Sequence, residues 1–372
     1  MRRTRQSGMS LVEVMVAVAI GLIGILIITQ AYIAGENFNR STVGESGGQM
    51  GGAVALYMIE RDLRNAGYGI ADTGALRCGE LYWYYDPNYS QNISAGSPLP
   101  RLVVAPVLIR TSASGAPDEL TVLYSRSARM ATPATIQSFV ASAAEVTLLG
   151  TSLGFAANDL VILSSGSGCT LRQVTAVVEE QNKIQLNPGP SARFNPPGWG
   201  AFPTTYANGD LVFNLGNAAL RTYTVSGGKL LATDVLLQAA GAAGATAALM
   251  EGIVDLRAQY GKDNGIDNGT VIAASYVAND GQVDQFSNTV PANAAEWRQV
   301  LSVRLGILVR IGTYEKPSAA GICDATTTPP AWAGGTFTAI DVSTTTSEDR
   351  CYRYRVFETI VPLRNMIWGL AS

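Results

Sequence analysis

The stretch that decides the fold is residues 8–33, GMSLVEVMVAVAIGLIGILIITQAYI, in which Glu13 is the only charged residue. From Leu11 to Ile33 there are 23 residues, or roughly 35 Å of helix at about 1.5 Å per residue. That length is enough to cross a hydrocarbon core of about 30 Å. A secretory signal has a shorter apolar stretch with its cleavage site after it. The sequence therefore predicts a transmembrane helix over residues 9–33.

A short basic segment precedes the apolar run. Residues 1–8 contain Arg2, Arg3 and Arg5 and no acidic residue. Because positive charge is retained on the cytoplasmic side of a membrane, we expect a cytoplasmic N-terminus and a head on the opposite side. A plain signal anchor would show the same charge pattern, but Glu13 argues against it. A carboxylate inside a membrane segment costs about 3 kcal/mol and needs a partner.

The sequence around Glu13 resembles a known processing signal. Residues 8–13, GMSLVE, followed by an apolar run, resemble the class III leader of type IV pilins and of type II secretion pseudopilins. The resemblance implies that a prepilin peptidase cuts between Gly8 and Met9 and methylates Met9. It also implies an assembly role for Glu13, whose natural counter-ion is the new α-amino group of a neighbouring subunit. Two positions differ from the pattern: Met9 stands where Phe is usual, and Gln30 where major pilins have a helix-bending Pro.

The composition excludes several classes of function. Charged residues make up 15% of the chain, below the roughly 25% of soluble domains, and this favours a β-rich extracytoplasmic head. The chain has no histidine, which excludes Ser-His-Asp triads and His-ligated zinc. The net charge is −3 and becomes −6 when the three leader arginines are removed, so nucleic-acid binding through bulk charge is not expected. We predict no enzymatic activity.

Residues 34–69 are predicted to continue the helix on the far side of the membrane. The segment 44–52, GESGGQMGG, contains five glycines, and each costs about 1 kcal/mol relative to alanine in a helix interior. We therefore expect a bend or a locally melted turn there. Apolar residues at helical spacing over 56–63 predict packing on a sheet, and the charged residues 60–62 are expected on a solvated face.

Beyond residue 70 the pattern predicts a β-rich periplasmic head, residues 70–372. Alternating or β-branched runs are bounded by Gly, Asn and Ser, as in short strands. Residues 226–229, SGGK, predict a hairpin turn. The predicted strands are 120–124, 159–163, 210–213, 221–225, 252–260, 300–311 and 352–363.

Three later segments are similar to the PilW-type minor pilins. They are GIVDLRAQYGKDNG at 252–265, WRQVLSVRLGILVRI at 297–311 and VFETIVPLRN at 356–365. Residues 201–372 are therefore interpreted as the PilW-like sheet region, and 71–200, which resemble the family only loosely, as a variable insertion. The resemblance implies an α+β, pilin-like fold, with a long N-terminal helix packed on an antiparallel sheet and a large β-rich head. It also implies a role in priming pilus assembly at or near the tip.

The same resemblance implies partners and a location. The partners are the prepilin peptidase, other minor pilins, the major pilin and the assembly platform. The chain would cross the inner membrane once, with its head in the periplasm, and later join the fibre at the cell surface. A large minor pseudopilin remains an alternative. So does a tip-displayed adhesin or DNA-uptake module, in which the aromatic cluster Tyr82, Trp83, Tyr84 and Tyr85 would stack on sugars or bases; packing is the more ordinary role.

The cysteines predict disulfides. Cys78, Cys169, Cys323 and Cys351 all follow the membrane segment, and an even number in an oxidising compartment predicts two bridges, with three pairings open. Many pilins close a C-terminal loop with a disulfide. The resemblance therefore favours Cys323–Cys351 and leaves Cys78–Cys169.

One acidic loop resembles a calcium site. Residues 263–269, DNGIDNG, include Asp263 and Asp267 but lack the bidentate Glu of an EF-hand loop. Asx-Gly pairs are more often plain turns. Calcium is kept only as a structural alternative, and no other cofactor is expected.

Overall fold

The fold combines one long helix with several antiparallel sheets. The computed structural model describes residues 10–71, 76, 78, 81–84, 103–112, 115–127, 129, 132–165, 168–189, 191–196, 205–236, 245–267, 270–271, 278–312 and 314–369. Gly8, Met9 and Tyr85 lie outside these residues. The α+β, pilin-like fold class is confirmed: an apolar N-terminal helix precedes a β-rich head.

Three helices are present in the described part of the chain. α1 (Leu11–Asn65) has 55 residues, or about 80 Å, while α2 (Ala294–Arg298) and α3 (Arg364–Gly369) are short. The first part of α1, Leu11–Ile33, is long and apolar enough to span a membrane, and none of it is buried against the head. After α1 the chain turns at Gly67, whose φ of +80° lies in the left-handed region that glycine adopts readily at helix ends.

The glycine-rich segment 44–52 is helical throughout, so the expected melted turn is wrong. Gly44, Gly48 and Gly52, here called the glycine face, point at the sheet. A Cβ at Gly48 would lie 2.6 Å from Ile311 Cγ2, and one at Gly44 would lie 2.9 Å from the backbone of the sheet. The missing side chains let the helix approach the sheet closely, and this packing offsets the low helix propensity of glycine.

The strands are listed in chain order. They are β1 (Leu81–Tyr82), β2 (Val107–Arg110), β3 (Glu119–Tyr124), β4 (Ala134–Val140), β5 (Glu145–Leu149), β6 (Leu160–Ser165), β7 (Gly168–Gln173), β8 (Ala176–Val178), β9 (Lys183–Gln185), β10 (Leu211–Gly216), β11 (Ala219–Ser226), β12 (Lys229–Asp234), β13 (Thr246–Glu251), β14 (Ile253–Lys262), β15 (Ile266–Asp267), β16 (Thr270–Val271), β17 (Gln285–Ser287), β18 (Val300–Ile311), β19 (Ala331–Trp332), β20 (Gly335–Thr336) and β21 (Arg353–Pro362).

Two sheets form the surface on which α1 lies. One has the order β13-β12-β11-β3-β2 and the other β17-β14-β18-β21. They are joined because only Gly252 separates β13 from β14. The N–H of Gly252 donates to Gly228 O, next to the first sheet, and its carbonyl accepts from the N–H of Arg310 in the second. The core between helix and sheets includes Ile59 and Leu63 of α1. The apolar face predicted over 56–63 therefore packs as expected.

β1 and the seven strands between β3 and β11 form a separate eight-stranded sheet. Its order is β1-β7-β6-β10-β4-β5-β9-β8. Only two residues separate β7, which pairs with β6, from β8, which pairs with β9. The same stretch of chain therefore pairs with strands near both ends of the sheet and closes it. The closed sheet surrounds a separate core that includes Ile136, Val161 and Val212. The predicted insertion 71–200 is therefore divided, because β2 and β3 belong to the sheet under α1 and its other strands to this separate sheet.

Both disulfides lie in the head. Cys78 is bonded to Cys169 and Cys323 to Cys351, which is the pairing that the sequence analysis preferred. Cys323–Cys351 lies in the strap, defined as residues 314–351, which covers the face of the second sheet opposite α1. The strap packs Phe337 against Leu308 of β18.

Candidate functional site: the anchor helix and its contact with the sheet

The N-terminal end of α1 contains the one predicted assembly residue that the structure describes. Ser10 is the N-cap; its hydroxyl accepts the N–H of Val12 at 3.3 Å, and the Glu13 carboxylate accepts the N–H of Ser10 at 3.0 Å. This is a capping box. It directs the carboxylate toward the N-terminal end of the helix, where Met9 adjoins Ser10 in the chain.

At the other end of α1, Asp62 ties the helix to the sheet. Its side chain is 1% exposed and accepts hydrogen bonds from Arg221 Nη1 at 2.8 Å, Tyr223 Oη at 2.7 Å and Tyr124 Oη at 3.2 Å. Burial, with Asp62 close by, raises the pKa of Tyr223, so the hydroxyl remains a donor. The prediction that residues 60–62 lie on a solvated face is wrong for Asp62, because the three donors come from strands that the local pattern does not show.

A second buried network ties the strap to the sheet. Asp118 and Asp255 are 2% and 0% exposed and share Arg257, whose Nε lies 3.0 Å from Asp255 Oδ1 and Nη1 3.4 Å from Asp118 Oδ1. Arg257 Nη2 also donates to Thr338 Oγ1 of the strap at 2.8 Å. Burial raises the pKa of both carboxyl groups. This arrangement has the geometry of a structural crosslink.

Two family models match parts of the chain. The prokaryotic N-terminal methylation motif matches residues 3–29, and Type IV Pilus-assembly protein W matches residues 222–365. The chain matches a PilW-type minor pilin with a prepilin leader. Comparison with curated proteins and with solved structures gives no match.

The two matches, both to type IV pilus-related models, cover an anchor and a sheet. The first covers Glu13 and most of the apolar helix, and the second runs from β11 to α3, including Tyr223 and the strands under the glycine face. Residues 30–221 lie between them and contain the glycine face, Asp62 and the closed sheet. A pilin of this kind is a structural subunit, and the N-terminal helix fits a membrane-anchored protein.

In the aromatic cluster, Trp83 packs inside the head. Trp83 is 3% exposed and shares a core with Leu81 and Phe213. Tyr82 and Tyr84 are half-buried. A buried indole cannot stack on a sugar or a base, so Trp83 is not part of a stacking platform.

The predicted calcium loop is closed by backbone hydrogen bonds. Asp263 is 1% exposed, and its two carboxylate oxygens accept the N–H groups of Asn279 and Gly281. Gly265 N–H donates to Asp284 Oδ2 at 2.6 Å. In the described ranges, no three acidic, cysteine or histidine side chains converge as a metal site. The structure therefore gives Asp263 a role in loop closure, and Asp267 lies in β15.

Sequence reasoning missed the residues that hold the helix on the sheet. Gly44, Gly48 and Gly52 are spaced by four, which places them on one helix face; this signal was in the sequence and could have predicted the close contact. Asp62 gave no such signal, because its partners Arg221 and Tyr223 are about 160 positions further along the chain.

Proposed function

We propose that the chain is a minor pilin that helps start the assembly of a type IV pilus and is incorporated at or near its tip. The observation that supports this most is the methylation-motif match over residues 3–29 at the start of a continuous 55-residue helix. The exposed apolar part of that helix can stay in the membrane or enter a fibre, while its last turns are locked to the head by Asp62. The PilW match favours a pilus over a secretion pseudopilus.

We propose that processing creates the assembly contact. A prepilin peptidase would cut between Gly8 and Met9 and methylate Met9, leaving an α-amino group one residue before Ser10. The capping box already directs the Glu13 carboxylate to that end of the helix. A neighbouring subunit that offers its own amino group there would supply the counter-ion that a carboxylate needs in a membrane.

The head would lie in the periplasm and then at the cell surface. Arginines at positions 2, 3 and 5 would keep the leader in the cytoplasm, and both disulfides suit an oxidising compartment. The partners would be the prepilin peptidase, the other minor pilins, the major pilin and the inner-membrane assembly platform.

A deletion strain tests the proposed function. Loss of the chain should remove or greatly reduce surface pili, while secretion of exported enzymes continues. Normal piliation with failed secretion would instead identify a pseudopilin. In the complemented strain, Glu13→Ala should still be cleaved but should enter pili poorly, and Glu36→Ala, a charge change on the same helix, is the control. Normal incorporation of Glu13→Ala would remove the proposed role of Glu13.

A further inference from the structure

Among the described residues, no strand pairs with one long side of β21. It is the last strand of its sheet and pairs with β18 over ten consecutive positions without a bulge. Apart from β13, which continues into β14, the other terminal strands of the described sheets have two to four residues. A long regular edge is a template for another strand, and sheets usually block such edges with bulges, charges or a covering segment.

The backbone groups on the open side can be identified from the register. Leu363 N–H donates to Leu301 O at 2.8 Å, in the register that pairs Ser302 with Pro362. Bonded positions alternate along an antiparallel pair, so the odd-numbered residues of β21 bond to β18 and the even-numbered ones point outward. In the part of the chain that the structure describes, no hydrogen bond reaches the outward N–H and C=O groups, which belong to Tyr354, Val356, Glu358 and Ile360.

The direction of β21 relative to α1 limits what can occupy this edge. Gly48 lies on Ile311, which pairs with Arg353, the first residue of β21. At the other end, Asn365 Nδ2 donates to Asn65 O at 3.1 Å. α1 and β21 therefore run in the same general direction, away from the apolar anchor.

Two copies of the chain cannot pair through β21 of each copy. Two β21 strands paired antiparallel would point their α1 helices in opposite directions, and both helices could not then enter one membrane from the same side. In a parallel pair, a residue whose N–H and C=O point to the partner lies opposite a residue whose groups point away. Two β21 strands that both present their even-numbered residues could therefore pair in parallel only if one strand were shifted along the other. That offset breaks the two-fold symmetry of a closed dimer.

The charges at the edge indicate the chemistry of the partner. Arg353 and Arg355 are exposed at the end nearest the anchor. Arg353 is paired with Glu315 at 2.5 Å, but among the described residues no acidic group pairs with Arg355. Opposite charges directly across a strand pair are stabilising, so a strand with an acidic residue opposite Arg355 is favoured. Further along the edge, Ile360 is 51% exposed and favours an apolar neighbour.

We propose that the open edge of β21 receives an antiparallel strand, with an acidic residue opposite Arg355, from a different pilin-type subunit. This inference rests on the proposed function, since it requires other subunits beside the chain in the membrane or fibre. The added strand satisfies the four outward N–H groups and extends the sheet that carries α1. It fixes the two heads side by side while their helices remain parallel.

Photocrosslinking in cells that assemble pili tests the proposal. The full chain would carry benzoylphenylalanine at Ile360, on the edge, or at Leu149, which is 61% exposed on the closed sheet, as the control. Crosslinked peptides would be identified by mass spectrometry. We expect the Ile360 probe to join a strand of another pilin-type subunit, and the Leu149 probe not to join that strand. An adduct to a second copy, an adduct within the same chain, or no adduct at Ile360 would overturn the proposal.

Matched variants distinguish loss of the contact at the β21 edge from loss of folding. Glu358→Pro removes one outward N–H without breaking a bond to β18, and Glu358→Ala removes the same side chain without touching the backbone. The proline variant should reduce the Ile360 adduct to background, whereas the alanine variant keeps most of it. Arg355→Glu should lower the adduct about fivefold and Arg355→Lys should not. Equal adducts in the proline and alanine variants would refute the edge contact.

The deletion strain keeps this inference distinct from the proposed function. If pili require the chain and the Ile360 adduct is absent, only the edge contact is wrong. If pili form normally without the chain, the proposed function itself is wrong.

Discussion

Alanine substitutions at Gly48, on the glycine face, and at the neighbouring Gly47 test how closely α1 packs on the sheet. Gly48→Ala places a methyl group 2.6 Å from Ile311 Cγ2 and 3.3 Å from the carbonyl oxygen of Arg310, whereas Gly47→Ala meets nothing within 4 Å. Alanine gains about 1 kcal/mol of helix propensity at either position. At Gly48 the overpacking costs about 1–3 kcal/mol, because Ile311 Cγ2 and the Arg310 carbonyl belong to a paired strand. The free energies of unfolding of the two variants should therefore differ by about 1–3 kcal/mol.

The measurement is urea unfolding of the full chain in detergent micelles, followed by tryptophan fluorescence. Trp297 is 3% exposed and belongs to the core beneath α1, so its emission reports on this contact. Gly47→Ala should raise the midpoint and Gly48→Ala should leave it unchanged or lower it. Equal midpoints, or a higher one for Gly48→Ala, would show that the helix does not lie this close to the sheet.

Three further predictions concern the head. Asp62→Ala leaves three donors without their acceptor and should lower the free energy of unfolding by about 2–4 kcal/mol, while Glu60→Ala, which removes a surface pair with Arg64, should change it by less than about 1 kcal/mol; similar urea midpoints would contradict the buried network. Replacing both Cys78 and Cys169 by serine should cost about 2–4 kcal/mol; an unchanged midpoint would show that this bridge does not form. Burial raises the pKa of Asp255 above 3.8, so its contribution to stability is complete below that pH and decreases as the pH rises through the raised pKa. The stability of Asp255→Asn relative to the unsubstituted chain should therefore improve between about pH 4 and pH 7, and a constant difference would contradict this.

Local patterns were sufficient for the parts of the fold that depend on neighbouring residues. The apolar run predicted the start of α1, and alternation predicted β18 and β21 to within about a residue. The hairpin predicted at residues 226–229 joins β11 to β12, with Gly227 and Gly228 both at positive φ, as a two-residue turn of type I′ requires.

Features that depend on distant residues could not be predicted in this way. Glycine propensity alone argued for a break at 44–52, because the sheet that stabilises this part of the helix comes more than 250 residues later. The charge of Asp62 suggested exposure, because the local sequence does not show that Arg221 and Tyr223 lie beside it. Closure of the separate sheet requires β7 to pair with β6 and the adjoining β8 to pair with β9. No local sequence pattern shows these pairings.

The sequence predicted which residues of the candidate site carry its chemistry, but it did not predict their geometry. Residues 8–13 indicated a processing signal and an assembly role for Glu13 because a charge, a cut position and an apolar run coincide. The capping box that directs Glu13 toward Ser10 became visible only in the structure. The open edge of β21 likewise depends on the register with β18, which the sequence does not specify.

The most direct test of the central claim is mass spectrometry of the N-terminal peptide of this chain recovered from purified pili. We expect a peptide that begins with N-methylated Met9, present at a low ratio to the major subunit. A peptide that retains Met1, or a chain that is absent from the fibre and found only in the membrane, would contradict it.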